Sequence, residues 1–179
     1  MDLDESCNTH SLSQWQMKNS NPDPFPRPES SLFALIIGID EYADVAIPNL
    51  EGAVNDANDV RDFLTSFLHV PTRRIKSLYN KDATRAAIET EIQNLATSTI
   101  ISKEDPILIF FAGHGAQAKA PSSWPSGARQ KLQMLVPHDF MSNGSDDVER
   151  GQGVLNVRLS HLLAGLASEK SDNITIIFD

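Results

Sequence analysis

Short apolar runs alternate with segments of helical periodicity from residue 31 onward, and this pattern limits the chain to few folds. Apolar runs of this length favour strands that are buried on both faces, and they lie at Leu32–Ile39, Ile75–Tyr79, Ile107–Phe111 and Ile174–Phe178. Helical stripes cover Ala53–Leu68, Thr84–Ala96 and a segment that starts with Asn156 as N-cap and carries Leu159, Leu162, Leu163 and Leu166. The alternation predicts an α/β fold in which helices cover a mostly parallel sheet.

The rest of the chain divides into one extension and two insertions. Residues 1–30 are rich in Ser, Asn and Pro and have little apolar surface to offset their ordering entropy, so we expect a disordered or loosely packed extension before one domain at 31–179. The alternative is a pro-segment or a docking arm. Residues 116–131 and 141–153 are predicted to be long irregular insertions beside a short strand at Gln133–Val136.

Composition restricts the partners. The net charge of −9 disfavours broad binding to nucleic acids or to anionic membranes, and it suits a cationic peptide better. The longest apolar run, Leu32–Ile39, is far too short for a membrane-spanning helix, and the acidic, polar first ten residues do not resemble a secretory signal. Cys7 is the only cysteine, which excludes an intrachain disulfide. We therefore expect a soluble, cytoplasmic protein.

Polar residues follow the predicted strands. In an open parallel sheet the functional site lies outside the carboxyl ends of the strands. The residues at these positions are Asp40–Glu41, Gly113–Gly115, Pro137–Asp139 and Asp179. We therefore expect polar groups to collect at one edge of the sheet.

His114 is the first catalytic candidate. Gly113 and Gly115 flank it, which leaves the imidazole uncovered and lets the backbone come close to a ligand. Gly115 could also point its N–H at a reacting carbonyl oxygen. The alternative is a tight turn with an incidental histidine, but histidine is the most frequent general acid–base group, and its position favours a catalytic role.

Asp56 and Asp179 are candidates for binding a basic side chain. Asp179 follows a buried strand, and Asp56 lies in the first turn of the first predicted helix. The helix dipole by itself explains an acidic residue at the position of Asp56. Two carboxylates that converge at the sheet edge would instead form an anionic socket for Arg or Lys. Spacing alone leaves both interpretations open.

Other chemistries lack their motifs. The sequence contains neither phosphate-binding loop, G-x-x-x-x-G-K-[ST] or G-x-G-x-x-G, and no H-E-x-x-H. The G-x-S-x-G motif of serine hydrolases is also missing, and the five histidines do not have zinc spacing. Cys7 lies in the polar extension without a basic neighbour that would activate its thiol. We expect no metal and no organic cofactor, and we reject Cys7 as a nucleophile.

Five segments together resemble the caspase-like domain of metacaspases and their fungal relatives: FALIIGIDEY, EGAVNDANDVRDFL, ILIFFAGHGAQ, LVPHDF and IIFD. The resemblance covers about residues 31–179 and keeps the family's order and spacing. It implies a truncated, caspase-like three-layer sandwich that corresponds to the large subunit. It also implies a cysteine endopeptidase that cleaves after Arg or Lys, acts in proteolysis and regulated cell death, and pairs with a small-subunit segment of the same protein.

The resemblance assigns roles to particular residues. His114 matches the histidine of the Cys-His dyad, and Gly115 matches the residue whose N–H helps to form the oxyanion hole. Asp56 and Asp179 match the acidic residues that line the pocket for a basic P1 side chain. The family's nucleophilic cysteine follows the strand-ending aspartate by one or two residues, and this sequence ends at Asp179. We therefore expect the chain by itself to be inactive.

The sequence also departs from the metacaspase pattern. Ala53 and Ala112 stand where many metacaspases carry Cys and Ser. Val154–Val157 replaces an acidic segment that helps some of them to bind calcium, and Asp139 alone offers too few oxygens for that ion. We therefore expect no calcium site.

Two other classes of function stay open. A caspase-like module that binds partners without cleaving them would share all of these segments but lack the cysteine beyond residue 179. A flavodoxin-like receiver domain shares the α/β pattern, but it requires a phospho-acceptor aspartate after the third strand, where this chain has Gly113–His114.

Overall fold

The computed structural model describes residues 29–119, 131–143 and 152–179. The central sheet has four parallel strands in the order β2-β1-β3-β7. Their bounds are β1 Phe33–Gly38, β2 Ile75–Tyr79, β3 Ile107–Ala112 and β7 Ile174–Phe178. This sheet confirms the predicted α/β fold, and each strand lies within one residue of its apolar run.

Helices cover both faces of this sheet, and together they make three layers. Helix α1 spans Ala53–Asp62 and continues as a π-helix over Phe63–Phe67, while α2 spans Arg85–Thr97 and α3 spans Asn156–Lys170. Alternate residues of β1 point to opposite faces, as the pleat of a strand requires. Leu35 and Ile37 pack in the cluster that contains α2 and α3, whereas Ala34 and Ile36 pack against α1, and all four are buried.

Helix α1 lies unusually close to β1, because the residues at the contact are small. A Cβ atom added to Gly38 would lie 2.7 Å from Ala57 Cβ and 2.8 Å from the Ala53 carbonyl oxygen. Real Cβ atoms essentially never approach other atoms so closely, so only glycine fits at this position. The close approach places the first turn of α1 beside the carboxyl end of β1.

A second, antiparallel sheet corrects one prediction. It has the order β4-β5-β6, with β4 at Gly115–Lys119, β5 at Lys131–Leu135 and β6 at Val154–Leu155. The start of the predicted irregular insertion 116–131 is therefore strand β4, because it pairs with β5. Strand β5 itself overlaps the strand predicted at Gln133–Val136. The remainder of the two insertions, 120–130 and 144–151, lies outside the described residues.

The start of α3 corrects a second prediction. Asn156 is the first helical residue rather than the N-cap, and no side chain caps this helix by a hydrogen bond. The reason is that Leu155 still pairs with Met134 in β6, so the chain passes from strand to helix without an intervening cap residue. Thr84, in contrast, caps α2 by accepting a hydrogen bond from the Ala87 N–H at 3.1 Å.

The predicted extension at 1–30 lies outside the described residues up to residue 28. Its last two residues contact the segment that leads into β2. The Glu29 carboxylate forms an ion pair with Arg73, and the Ser30 carbonyl accepts a hydrogen bond from Arg74 at 2.8 Å. These contacts join the beginning of the described chain to the edge of the sheet.

Candidate active site

The carboxyl ends of β1, β3 and β7 meet at one edge of the sheet, as expected for parallel strands. Gly38 pairs with Ala112, so β1 and β3 end level with each other. The Asp179 N–H donates to the Phe111 carbonyl at 2.9 Å, and the Gly113 N–H donates to the Asp179 carbonyl at 3.4 Å. These two bonds hold the residue after β7 beside the residue that precedes His114.

Contacts with the loop between β1 and α1 orient His114. Its backbone N–H donates to the Tyr42 hydroxyl at 2.8 Å, and its ring atom Nε2 lies 2.8 Å from the Pro48 carbonyl oxygen. Because a carbonyl oxygen only accepts hydrogen bonds, Nε2 carries the proton in this contact. Nδ1 of the neutral ring then keeps its lone pair. The partly exposed imidazole can therefore accept a proton at Nδ1.

The two glycines beside His114 have different roles. Gly113 has φ +156°, and an added Cβ atom would lie 3.2 Å from both the Tyr42 hydroxyl oxygen and Phe111 Cζ. Gly115 is the exposed first residue of β4 and pairs with Leu135. The geometry of the turn thus explains Gly113, while Gly115 leaves the surface beside His114 uncovered.

Asp56 and Asp179, here called the acidic pair, lie close enough for the charge of one to affect the other. The pKa of Asp56 is raised first by loss of solvation, then by the negative charge of Asp179 and by a hydrogen bond with that carboxyl group. The charges of Asp59 and Asp40 raise the pKa of Asp56 further. Two carboxylates that raise each other's pKa repel one another when both are ionised. A cationic group bound between them would relieve this repulsion.

The contacts of Asp40 argue against the interpretation that Asp56 serves only the start of helix α1. Its two carboxylate oxygens accept hydrogen bonds from the N–H groups of Ala53 and Val54, at 2.8 and 3.2 Å. Two of the free N–H groups at the start of α1 thus already have an anionic partner. Asp56 still lies in the first turn, where the helix dipole favours it. The dipole does not account for its contact with Asp179.

The polar residues after β5 have structural contacts instead. His138 Nδ1 lies 2.7 Å from the Glu41 carbonyl oxygen, and the His138 carbonyl accepts from the Ala43 N–H at 2.9 Å. Asp139 accepts a hydrogen bond from the Arg85 N–H at 2.8 Å, at the start of α2. These residues therefore hold the β1–α1 loop and α2 in place.

A cavity of about 620 Å³ opens next to the acidic pair. It lies between the end of β7, helix α3 and the antiparallel sheet, and its apolar walls include Leu159, Leu163, Ile176 and Phe178. Gly115 and Asp179 line it, but His114 and Asp56 do not. The cavity thus adjoins the candidate site on the side of β7.

Sequence reasoning missed two residues of the site, Tyr42 and Pro48. Tyr42 lies two residues beyond Asp40, but an aromatic residue after a strand usually belongs to the core. Pro48 acts through its backbone carbonyl, which every residue possesses, so no pattern of side chains could have indicated it. The strand-end position of Asp40 drew attention to that residue without indicating its role as partner of α1.

The described part of the chain lacks two features. In residues 29–119, 131–143 and 152–179, no three His, Cys, Asp or Glu side chains are grouped so that they could hold a metal ion. Over the same ranges, no helix has the length and apolar character that crossing a membrane requires.

Comparisons with known proteins give a family and a fold. The family model described as the caspase domain, a peptidase family, matches residues 31–177. The crystal structure of protein GSU0716 from Geobacter sulfurreducens is similar, with a TM-score of 0.58 and 19% identity over 84% of this chain. That match covers 49% of the Geobacter protein, so the chain spans about half of its length. A search of curated proteins found no match.

Proposed function

Because this chain belongs to the caspase domain family, we propose that it forms the large-subunit part of a cysteine endopeptidase that cleaves peptide bonds after Arg or Lys. The observation that carries the proposal is the orientation of His114, whose Nε2 is held by the Pro48 carbonyl at 2.8 Å while Asp179 lies beside the same turn. A general base and an acidic pair thus lie at one edge of the sheet. Peptide hydrolysis after a basic residue uses both.

The nucleophile in this proposal is a cysteine on a continuation of the chain after Asp179. Its thiol transfers a proton to His114 Nδ1 while the sulfur attacks the scissile carbonyl carbon, and the carbonyl electrons move to oxygen. The Gly115 N–H and the N–H of the cysteine stabilise that oxyanion. The intermediate then expels the amine, which takes the proton from His114. Water, activated by the same histidine, hydrolyses the thioester. No metal ion or organic cofactor takes part.

The acidic pair supplies the specificity. A guanidinium group can donate two parallel hydrogen bonds to carboxylates, so an Arg side chain at P1 can bind between Asp56 and Asp179 and neutralise their negative charge. The nearby charges of Asp40 and Asp59 add to the negative potential. An acidic P1 side chain would instead be repelled. We therefore assign the pair to binding the P1 residue of peptide and protein substrates.

The test is to read the gene beyond codon 179 and assay the complete product on fluorogenic peptides that end in Arg, Lys or Asp. We expect cleavage after Arg and Lys, and loss of cleavage for every peptide in the His114→Ala variant. The 179-residue chain is expected to be inactive. Turnover by the chain alone, or cleavage that survives in His114→Ala, would contradict the proposed mechanism.

The alternative function is a caspase-like scaffold that binds partners without cleaving them. Its supporting observation is that the only cysteine of the sequence, Cys7, precedes the matched residues 31–177. A gene without a cysteine shortly after codon 179 would favour the scaffold. The finer assignments, a fungal-type metacaspase with a cytoplasmic location and a role in regulated cell death, rest on the resemblance of sequence segments.

A further inference from the structure

We propose that Tyr42 is the residue that positions His114 for proton transfer, a role that rests on the proposed function as a cysteine peptidase. Tyr42 lies in the loop between β1 and α1 and is 8% exposed. It contacts both the backbone and the ring of His114. Its action on the reaction is indirect, because it operates through the histidine.

The hydroxyl group of Tyr42 connects the ends of two neighbouring strands. It accepts the backbone N–H of His114 at 2.8 Å and donates to the Ile39 carbonyl at 3.3 Å. A phenol has one proton and accepting lone pairs, so it can make both bonds at once. The turn after β3 is thereby joined to the residue that follows β1. A phenylalanine would fill the same space but could make neither bond.

The phenol keeps the proton that this arrangement needs. Burial raises the pKa of Tyr42, and the negative charge of Asp40 raises it further, whereas the hydrogen bond from the His114 N–H lowers it. Burial is the largest of these effects. Tyr42 therefore remains a neutral donor to Ile39 at physiological pH while it accepts from His114.

The same loop holds the imidazole at a second point. The centroids of the Tyr42 and His114 rings are 5.0 Å apart with 34° between their planes, within the range of favourable contacts between rings. The Pro48 carbonyl accepts a hydrogen bond from Nε2 of the same ring. The Tyr42 N–H donates to Asn49 Oδ1 at 3.3 Å, which connects the tyrosine to the segment that carries Pro48. Backbone and ring of His114 are thus held by one connected loop.

Gly113 leaves room for the Tyr42 hydroxyl group at the turn. A side chain at this position would begin 3.2 Å from the Tyr42 hydroxyl oxygen and would compete with the His114 N–H for space. A tyrosine that served only to fill the core would not need its hydroxyl group at the turn. The experiment should therefore remove the hydroxyl group of Tyr42 and keep its ring.

The first experiment measures His114 directly in the 179-residue chain and needs no activity. We compare Tyr42→Phe with Tyr79→Phe, which removes the hydroxyl group of the other tyrosine of the sequence. In Tyr42→Phe, amide hydrogen exchange at His114 should accelerate about three- to tenfold, as expected for the loss of one hydrogen bond. The ¹⁵N shifts of its imidazole should move from the Nε2–H form toward a mixture of tautomers. In Tyr79→Phe both should stay unchanged. An unchanged exchange rate and tautomer in Tyr42→Phe would overturn the proposal.

A second variant covers the case in which Tyr42→Phe does not fold. Fluorotyrosine incorporated into the Tyr79→Phe background labels position 42 alone, because the sequence has two tyrosines. It keeps the shape of the ring but weakens the hydroxyl group as an acceptor. The amide proton resonance of His114 should then shift upfield. A resonance that does not move shows that the hydroxyl group does not hold this amide.

The kinetic experiment uses the complete gene product. Tyr42→Phe should lower kcat for an Arg-terminated peptide about three- to tenfold while KM stays within about twofold, since Tyr42 does not touch the substrate. Tyr79→Phe should match the wild type. A three- to tenfold rise of KM in Tyr42→Phe with an unchanged kcat would overturn the positioning role. If the wild type itself does not cleave, the proposed function fails, and the NMR comparison still decides whether Tyr42 orients His114.

Discussion

Replacing Asp56 by Asn tests the acidic pair most directly, because the change removes a charge and keeps the shape of the side chain. In the complete enzyme, Asp56 would face the guanidinium group of a P1 arginine beside Asp179. Asn at this position removes one charge-assisted hydrogen bond to that guanidinium group, which is a stronger contact than a hydrogen bond between neutral groups. We expect a loss of roughly 10- to 150-fold in kcat/KM. The decrease should apply to peptides with Arg or Lys at P1.

The control for this variant is Asp59→Asn. Asp59 lies in the same helix one turn later and is exposed, so its replacement removes the same charge from the same surface. The negative charge of Asp179 raises the pKa of Asp56 more than the charge of Asp59 does. We expect Asp59→Asn to keep kcat/KM within about twofold of the wild type, the size of an exposed charge effect. The assay is a library of peptides that differ only at P1.

The Asp56→Asn substitution also leads to a prediction about stability. The pKa of Asp56 in the folded chain lies above its ordinary value of 3.8. Between pH 3.8 and the pKa of the folded chain, the folded state therefore binds more protons than the unfolded state. Wild-type stability therefore falls as the pH rises through this window. Asp56→Asn removes the effect, so at pH 7 it should melt at or above the wild-type temperature, and the difference should vanish on acidification below the ordinary pKa.

Two results would refute this reasoning. If Asp56→Asn keeps full selectivity for Arg over Asp at P1, the residue serves the start of α1 and does not bind substrate. If Asp56→Asn melts clearly below the wild type at pH 7, the ionised carboxylate stabilises the fold, and folding lowers the pKa of Asp56 instead of raising it.

The remaining predictions concern stability and can be measured by thermal denaturation of the 179-residue chain. Gly38→Ala should lower the free energy of unfolding by about 1–3 kcal/mol, because its Cβ atom would meet Ala57 Cβ at 2.7 Å, whereas Gly165→Ala in α3 meets no atom within 4 Å and should stabilise by about 0.5–1 kcal/mol. Equal effects of the two substitutions would contradict the close approach of α1 and β1. Deleting residues 1–28 keeps the contacts of Glu29 and Ser30, so Tm should change by less than about 4 °C; a larger drop would show that the extension packs on the domain.

The sheet was predictable because its signal is local and repeated. The run Leu32–Ile39 contains β1 at Phe33–Gly38, and the helical stripe Ala53–Leu68 contains α1 and the π-helix after it. Buried parallel strands must be apolar on both faces, and amphipathic helices must carry one stripe. These constraints act on each segment separately, so each segment reveals its structure.

Strand β4 was not predictable in the same way. Its sequence, GAQAK, has no β-branched residue and only one side that is partly apolar. It becomes a strand because it pairs along its whole length with β5, from Gly115–Leu135 to Lys119–Lys131. The stabilising contacts are therefore distant in sequence. Strand propensity depends strongly on such context, and a single segment cannot reveal its partner.

The candidate site also contains residues that the sequence could indicate and residues that it could not. The strand-end rule indicated His114 and Asp179, because parallel strands bring their carboxyl ends to one edge. That Asp56 reaches Asp179 could be proposed but not decided, since the helix dipole explains the same residue. The contacts of Tyr42 and Pro48 depend on the path of the β1–α1 loop, and no periodicity determines that path.

The two parts of the site are supported by different elements but are joined through the backbone of Asp179. His114 is oriented by the β1–α1 loop, whereas Asp56 lies on α1 and Asp179 follows β7. The Asp179 N–H and carbonyl both bond to the end of β3, at Phe111 and Gly113. A displacement of β7, which is an edge strand of the described sheet, would therefore move the acidic pair and the turn of His114 together. Side-chain substitutions avoid this coupling: Asp56→Asn should change the choice of P1 residue, and Tyr42→Phe should change the rate for every P1 residue. A variant of one residue that reproduced the effect of the other would show that the two parts do not act separately.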